Sequence, residues 1–233
     1  MAFEIATVPD VAGIRAIYDL DAALSDSDVA DYAFQRQRAT DGHDDLLPHL
    51  QRVVEISFAC WGDDRLTVSS LAAANSAEGA LIARFSQELT ELGGTAACWG
   101  ANQRQRPVLN LRSLIHASLI SELTGRACAE LRHPFAGIAD LSQHLSAFAP
   151  DGGVPLHQLA QLLGAGRAQA LTGAQVWDAW RSGAAASVTA DCERRALASL
   201  RVLLRLRCLV GELDVAQMAV AEFAIGARTA QQS

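Results

Sequence analysis

The feature that most constrains the fold is the segment AFEIATVP at residues 2–9, because it predicts a buried β-strand. Phe3, Ile5 and Val8 supply apolar side chains around Glu4 and Ala6. Pro9 ends the strand, since proline has no backbone N–H with which to continue a ladder. We therefore expect the later segments either to pair with this strand or to cover it.

The segments that follow alternate between helical and strand patterns. Apolar spacing predicts helices at residues 11–20, at 76–92 and from Pro107 onward, a β-hairpin at 52–60 and 66–71, and a short buried strand at 95–99. A turn at residues 62–64 joins the hairpin strands, and Gly93 and Gly94 end the second helix. This order predicts a mixed sheet covered by helices rather than a doubly wound parallel sheet.

The second half of the chain is predicted to be almost entirely helical. Apolar stripes with helical spacing occur at residues 139–148, 155–163, 172–181, 184–210 and 215–225, with Gly or Pro breaks between them. The prediction is one α/β domain over residues 1–228. Its mainly antiparallel sheet has the Glu4 strand at the centre, helices on both sides and a helical C-terminal half. Residues 229–233 are expected to form a frayed tail.

The composition is typical of a folded, soluble protein. Of 233 residues, 50% are hydrophobic and 19% are charged. No run approaches the roughly 18 to 20 apolar residues that a membrane span requires, and no basic segment precedes an apolar run at the N-terminus. We therefore expect a cytoplasmic location and no membrane partner.

The charge balance limits how strongly the chain can bind nucleic acid. Its net charge is -7, and all 19 basic residues are arginine. Strong binding to phosphates without sequence preference requires a basic surface, which this balance does not provide. Two local groups of arginines remain candidates: Arg104, Arg106 and Arg112 in one, and Arg194, Arg195, Arg201, Arg205 and Arg207 in the other.

Other residue patterns favour structural roles over chemical ones. Five scattered cysteines without a CxxC pair, and six histidines without HxH or HExxH spacing, predict neither a disulfide framework nor a zinc site. Asp26, Asp28 and Asp31 lie in an acidic stretch without the glycine turn of a calcium loop, so a solvated helix is expected. Trp177 and Trp180 are more typical of a core than of a base-stacking platform.

Seven short segments occur in an order that is informative as a set. They are FEIATVPD, HLQRVVEIS, WGANQRQRPVL, DLSQHL, PLHQLAQLLG, VWDAW and DCERR. In these segments the chain resembles the predicted 3′-5′ exonucleases related to the proofreading exonuclease domain of family-B DNA polymerases. That family lies within the DEDD, ribonuclease-H-like superfamily. The resemblance extends over roughly residues 2–207 and implies a ribonuclease-H-like fold.

The resemblance also implies a site that this sequence has largely lost. Such enzymes hold two divalent cations between four carboxylates, and the cations activate water and stabilise the leaving oxygen. The family's first motif, Asp-x-Glu, corresponds here to Glu4 and Ala6, and the Asp of its second motif corresponds to Gln105. Its third motif, Tyr-x-x-x-Asp, corresponds to Asp191 and Arg195. Of the four metal-binding positions, only that of Glu4 still carries an acid.

These replacements predict a catalytically inactive centre with no metal cofactor. An arginine at a former metal ligand would repel Mg²⁺, and we expect Arg195 to pair with Glu4 instead. The alternative is a rewired site that holds Mg²⁺ or Mn²⁺ with Glu4, Asp10, Asp140 and Asp191. Glu193 is near in sequence but is expected to point elsewhere, two residues from Arg195 on a helix.

The sequence therefore leaves three functions open. The favoured one is a degenerate exonuclease-like protein that acts by binding a protein partner or a second copy of itself. A second is weak binding of single-stranded nucleic acid, for which Arg104, Arg106, Arg194 and Arg195 would contact phosphates. The third is an active or weakly active metal-dependent 3′-5′ exonuclease with the rewired site.

Overall fold

The computed structural model describes residues 1–73, 78–92, 95–124, 135, 137–146, 154–165 and 170–231. Over these residues the chain forms a mixed sheet in the order β3-β2-β1-β4-β5. The strands are β1 (Ala2–Pro9), β2 (Gln51–Gly62), β3 (Arg65–Ala72), β4 (Ala97–Cys98) and β5 (Ala139–Asp140). β2 is antiparallel to β1 and β3, whereas β4 is parallel to β1 and β5. The predicted mixed sheet with the Glu4 strand at its centre is confirmed.

Helices cover both faces of the sheet. They are α1 (Val11–Tyr18), α2 (Asp26–Asp41), α3 (Glu78–Glu91), α4 (Arg106–Ile115), α5 (Ala117–Thr124), α6 (Leu141–Leu145), α7 (Leu156–Leu162), α8 (Gly173–Arg181), α9 (Ala185–Leu209) and α10 (Val215–Ala230). On one face Phe3 and Ile5 of β1 pack with α3 and α4, and the rings of Phe3 and Phe85 lie 4.8 Å apart. On the other face Ala2 packs with α9 and α10. Within the described ranges no helix is long and apolar enough to span a membrane.

Alternation along β1 decides which side chains meet which helices. Because successive side chains of a strand point to opposite faces, Phe3 and Ile5 share the α3–α4 face. Ala6 and Val8 pack on the opposite side, with α8 and the first half of α9. Glu4 lies on that second side and is 1% exposed. The only acid of β1 is thus placed directly under α9.

The predicted hairpin is present, and its turn explains its register. Asp63 and Asp64 join β2 to β3, with φ angles of 50° and 51°. Positive φ at both central residues is the geometry of a type I′ turn, whose twist matches that of the flanking strands. Aspartate tolerates this left-handed region better than most residues.

Two predicted helices begin or end differently in the structure. The helix predicted at residues 139–148 starts as strand β5, because Asp140 lies opposite Cys98 of β4, and α6 begins only at Leu141. The helix predicted from Pro107 is divided at His116 into α4 and α5.

The chain's last helix is longer than expected. Helix α10 continues to Ala230, and the Thr229 hydroxyl donates to the Ile225 carbonyl at 2.8 Å. Residues 229 and 230, which were predicted to be part of a frayed tail, are therefore helical. The glycines predicted to end α3, Gly93 and Gly94, lie outside the described residues.

A buried ion-pair network anchors the C-terminal end of β1. Arg112 of α4 lies 2.6 Å from Asp10 and 2.6 Å from Glu78 of α3. Glu78 also accepts the Val53 N–H at 2.6 Å, beside the β-bulge that shifts the β1–β2 register. The His116 ring nitrogen lies 2.9 Å from the same carboxylate. Every charge in this network has a partner, which a buried ion pair requires if it is not to destabilise the fold.

A polar seam runs between the sheet and helices α9 and α10. The Ser57 and Ser70 hydroxyls lie 2.9 Å apart, and Ser70 donates to Glu193 at 3.0 Å. Arg228 of α10 donates to the other oxygen of Glu193 at 3.2 Å. Glu193 thus points toward β3 and α10 and away from Glu4, as its helical position predicted.

Glu55 of β2 is a buried acid beside these residues and is 3% exposed. Burial raises the pKa of its carboxyl, a hydrogen bond with Thr189 partly offsets this, and nearby Glu193 raises the pKa further. The unfolded chain therefore loses this proton at a lower pH than the folded one, and stability falls as pH rises through that interval. We therefore expect the melting temperature of Glu55→Gln, relative to that of the wild type, to increase as the pH is raised from 4 to 8.

The control is Glu91→Gln, which neutralises an exposed carboxylate of α3. Its melting temperature should follow the wild type at every pH. A Glu55→Gln protein whose difference from wild type is the same at pH 4 and pH 8 would contradict the assignment of the raised pKa.

Candidate functional site

The Glu4 carboxylate is the point where three separate parts of the chain meet. Its Oε2 accepts a hydrogen bond from Gln105 Nε2 at 2.9 Å and another from Arg195. Its Oε1 accepts the Ser199 hydroxyl at 3.2 Å. Glu4 comes from the central strand, Gln105 from the turn before α4, and Arg195 and Ser199 from α9. Both carboxylate oxygens are therefore already bonded to protein donors.

A wide turn places Gln105 inside this cluster. Residues Ala101–Gln105 form a single π-helical turn after Gly100, whose φ of 69° is left-handed. Such turns are short and are often found at functional sites. The Asn102 N–H at its start donates to Asp140 at 2.7 Å, and Gln105 at its end is 2% exposed. The turn is thus held at both ends, one of them by the Glu4 carboxylate.

Helix α9 supplies the second carboxylate of the site. Asp191 lies one turn before Arg195, with 3.8 Å between its Oδ2 and the guanidinium. Its Oδ1 accepts Arg194 at 3.0 Å and the Leu171 N–H at 3.3 Å. Burial raises the pKa of Asp191, and the two guanidiniums offset this only in part.

Arg195 is the charged group that bridges the two acids. It pairs with Glu4 through one terminal nitrogen and faces Asp191 with the other. Burial lowers the pKa of Arg195, but the carboxylates of Glu4 and Asp191 more than offset this and hold it above its ordinary value. The Arg195–Glu4 pair predicted from the motif positions is present in the structure. The guanidinium stands where a cation would have to bind these acids.

The four acids of the alternative metal site do not form one cluster. Asp10 caps α1 and pairs with Arg112. Asp140 caps α6, and its two oxygens accept the backbone N–H groups of residues 102, 142 and 143. Only Glu4 and Asp191 lie together, with Arg195 between them. Among the described residues, no group of three or more His, Cys, Asp and Glu side chains is arranged to hold a metal ion.

A cavity of about 570 Å³ opens over this cluster. Its polar floor contains Glu4, Gln105, Asp191 and Arg195, and its walls come from the π-helical turn and from α6, α7, α9 and α10. The cavity is also lined by Trp99, His157 and Ala198, to which the sequence analysis assigned no role in a site. Ser199 itself could have been found, because it follows Arg195 by one helical turn and so shares its face.

Three of the four predicted nucleic-acid contacts line this cavity, and one does not. Arg104, Arg194 and Arg195 are on its surface. Arg106 instead donates to Asn102 and to the Ile138 carbonyl, and it lines a different cavity. Arg106 therefore lies apart from the other three, and contact of these arginines with nucleic acid stays a prediction.

The remaining arginines of the two sequence groups are committed to ion pairs. Arg112 is 4% exposed and belongs to the network at the end of β1. Arg201 and Arg205 both bind Glu222, at 2.8 and 2.7 Å, and Arg207 lies 3.1 Å from Glu212. These groups do not form a continuous basic surface.

Trp177, Cys98 and Cys192 are buried, as their sequence patterns indicated. Trp177 is 4% exposed, and its ring stacks on that of Trp180 at 5.6 Å. Cys192 donates to the Glu4 carbonyl at 3.3 Å, and burial raises the pKa of its thiol to about 12. Burial likewise raises the pKa of Cys98 well above its ordinary value. Both thiols are therefore unreactive near neutral pH.

Comparison with protein families gives one match over most of the chain. The family model described as "predicted 3'-5' exonuclease related to the exonuclease domain of PolB" matches residues 44–229. The match includes the segments that contain Gln105, Asp191 and Arg195, and it begins after β1. The place of Glu4 in the site therefore rests on the sheet and its contacts. No curated protein matches the chain.

Proposed function

Since this chain belongs to the family of predicted 3′-5′ exonucleases related to the exonuclease domain of PolB, we propose that it is a degenerate member without nuclease activity. The mixed sheet with its flanking helices is consistent with the ribonuclease-H-like fold of such proteins. On this proposal the protein keeps the cleft of its family and acts by binding.

The observation that carries the proposal is the Arg195 guanidinium between Glu4 and Asp191. Hydrolysis in this superfamily needs two cations that activate water and stabilise the leaving oxygen. A fixed positive charge at a ligand position repels both cations, and its N–H groups use the oxygens that would bind them. Ala6 and Gln105, at two further ligand positions, offer no carboxylate.

The rival function is a metal-dependent nuclease with a rewired site. It needs Asp10 and Asp140 to join Glu4 and Asp191 around a metal pair. Asp10 is held by Arg112 at 2.6 Å, and Asp140 accepts the Asn102 N–H at 2.7 Å. Both acids would have to break these bonds to bind a metal, which favours an inactive protein over a nuclease with a rewired site.

Cleavage of a labelled single-stranded oligonucleotide tests the proposal. We expect no shortening from the 3′ end with either Mg²⁺ or Mn²⁺, for the wild type and for Glu4→Gln alike. Cleavage by the wild type that Glu4→Gln abolishes would establish the rewired nuclease. Cleavage that Glu4→Gln leaves unchanged would indicate a contaminating enzyme, and the assay would then be repeated with protein purified further.

The arginines that line the cleft favour single-stranded nucleic acid as the partner. Arg104, Arg194 and Arg195 line one cavity together with Trp99. Because the chain carries a net charge of -7, we propose weak binding that falls steeply with salt. A protein partner or a second copy of the chain becomes the better proposal if no such binding is found.

A further inference from the structure

Helix α10 exposes an apolar face. Phe223 is 81% exposed, Val215 is 80% exposed and Val220 is 49% exposed. The other exposed residues on this side of the helix are alanines, at positions 216, 219, 227 and 230. The two charged side chains of α10, Glu222 and Arg228, form ion pairs with α9. A globular domain rarely leaves an apolar stripe of this size in contact with water unless it is an interaction surface.

This face is turned away from α9 and lies beside β3. Ala221 and Ile225 pack in the cluster that α9 shares with the sheet, and Phe223 lies two residues from each, or about 200° around the helix. The same cluster includes Leu66 and Val68 of β3, which is the end strand of the described sheet. The exposed face of α10 therefore lies next to the free edge of β3.

Strand β3 presents unpaired backbone groups along that edge. The two residues that flank the hairpin turn form a hydrogen-bonded pair, and such pairs recur at every second residue of the ladder. The Ala73 N–H donates to the Val54 carbonyl at 2.9 Å, in step with this pattern. The N–H and C=O groups of residues 66, 68 and 70 therefore point away from β2, and none of them bonds to another described residue.

This edge lacks the features that usually prevent a strand from pairing with another chain. Such features include proline, a bulge or a charged side chain in the middle of the strand. β3 runs for eight residues as RLTVSSLA, has no bulge in its register with β2, and carries its one charge at Arg65, the first residue. An edge of this length and composition can accept a further strand.

Helix α10 runs alongside β3 in the same direction. Arg228, near the end of the helix, is linked through Glu193 to Ser70. Met218, near its start, belongs to the same cluster as Leu66. The helix rises about 15 Å between Met218 and Arg228, and the strand rises about 13 Å between Leu66 and Ser70. The two elements are therefore matched in length and in position along the edge.

We propose that two copies of this chain associate through the β3 edge and the exposed face of α10, about one two-fold axis. Val68 is the middle of the outward-facing positions of β3, and Phe223 is midway along the matching part of α10. About an axis at Val68, antiparallel pairing joins Val68 to its copy and Leu66 to Ser70 of the second copy, with about six backbone hydrogen bonds. The same axis packs each Phe223 ring against the alanines of the facing helix, in a self-complementary contact.

The size and the charge of this surface suit a second copy. The strand edge and the helix together present a face roughly 25 Å long and 20 Å high, or about 500 Å² on each copy. A dimer then buries about 1,000 Å², the lower limit for a specific interface. Each copy has a net charge of -7, so a contact between copies requires a face without acids. The exposed stripe of α10 and strand β3 contain none.

Sedimentation velocity of the full chain over about 1–100 µM tests the inference. We expect a reversible dimer for the wild type. Phe223→Glu should weaken it by at least about 30-fold, because it places two carboxylates at the centre of an apolar contact. Leu114→Glu is the matched control, since Leu114 is 73% exposed on α4, which covers the opposite face of the sheet. It should dimerise as the wild type does.

Amide hydrogen exchange, measured for each residue by NMR, tests the strand pairing. In the wild-type dimer all N–H groups in the middle of β3 should be protected. In Phe223→Glu protection should alternate, because only the N–H groups that bond to β2 remain paired. Added salt should leave the dimer unchanged or strengthen it by screening the repulsion between two acidic copies, whereas it weakens binding to nucleic acid.

A wild type that stays monomeric overturns the inference, and so does a monomer that binds lipid vesicles through Phe223. It is also overturned if Phe223→Glu and Leu114→Glu dimerise alike, or if the outward-facing N–H groups of β3 exchange equally fast in the dimer and in Phe223→Glu. The inference goes beyond the proposed function and does not depend on it, because neither Phe223 nor Val68 lines the cavity beside Glu4. Metal-dependent cleavage would refute the proposed function and leave the dimer untouched.

Discussion

Replacement of Arg195 by methionine is expected to lower the free energy of unfolding by about 3–5 kcal/mol, the usual cost of leaving a buried charge without its partner. Glu4 is 1% exposed and Asp191 is 3% exposed, so water cannot solvate either carboxylate when the guanidinium is removed. For a chain of this size about 2–4 °C of melting temperature corresponds to each kcal/mol. A decrease of roughly 10 °C is therefore expected.

A double-mutant cycle with Glu4→Gln separates the ion pair from simple loss of packing. If the pair is the cause, the double change Glu4→Gln and Arg195→Met should be more stable than Arg195→Met alone, because it no longer buries an unpaired Glu4. The deficit of Arg195→Met should also shrink below neutral pH. Burial already raises the pKa of Asp191, and removal of a guanidinium raises it further, so protonation relieves the cost as the pH falls. Equal losses for the single and double variants would contradict this explanation.

The second large effect is expected from rebuilding the carboxylates. Glu4→Asp, Ala6→Glu, Gln105→Asp and Arg195→Asp together restore the family's acids at positions that the structure brings together. Without metal this variant should be several kcal/mol less stable than wild type, because like charges are then crowded in a buried cleft. Mn²⁺ at about 100 times its dissociation constant should raise the free energy of unfolding by roughly 2.7 kcal/mol through mass action.

The control for this variant carries the neutral amides instead, with Glu4→Asn, Ala6→Gln, Gln105→Asn and Arg195→Asn. It has nearly the same volume in the cleft and leaves Asp191 as the one carboxylate of the cluster, too few to hold a metal pair, so its melting temperature should not respond to Mn²⁺. Single acidic changes should respond little, since two ions share the ligands and their effects are not additive. If the melting temperature of the quadruple acidic variant also does not change with Mn²⁺, these positions are not the former metal site.

The central strand and the ion pair could be predicted from the sequence because both depend on strong patterns. The apolar run around Glu4 marks a buried strand, and motif positions separated by nearly the whole chain identify Arg195 as its neighbour. The structure joins them through a direct contact. Strand β5 could not be predicted, because two residues, Ala139 and Asp140, cannot show an alternating pattern.

The roles of individual polar residues were harder to predict, because they depend on the path of the backbone between elements. Asp140 was a candidate metal ligand by its type, yet it is an N-cap that accepts three backbone N–H groups. Arg106 has the same charge as Arg104, but it donates to the Ile138 carbonyl and lines a different cavity. Sequence spacing assumes regular helices and strands, and both residues lie where that regularity is interrupted.

Diffraction from crystals soaked in Mn²⁺, with data recorded at the manganese absorption edge, tests the account most directly. It locates bound ions whether or not they support catalysis. We expect no manganese within bonding distance of the Glu4 carboxylate, with Arg195 still paired to it. Two manganese ions about 3.5–4 Å apart beside Glu4, with the Arg195 guanidinium displaced, would contradict the claim that the former metal site is closed by its own arginine.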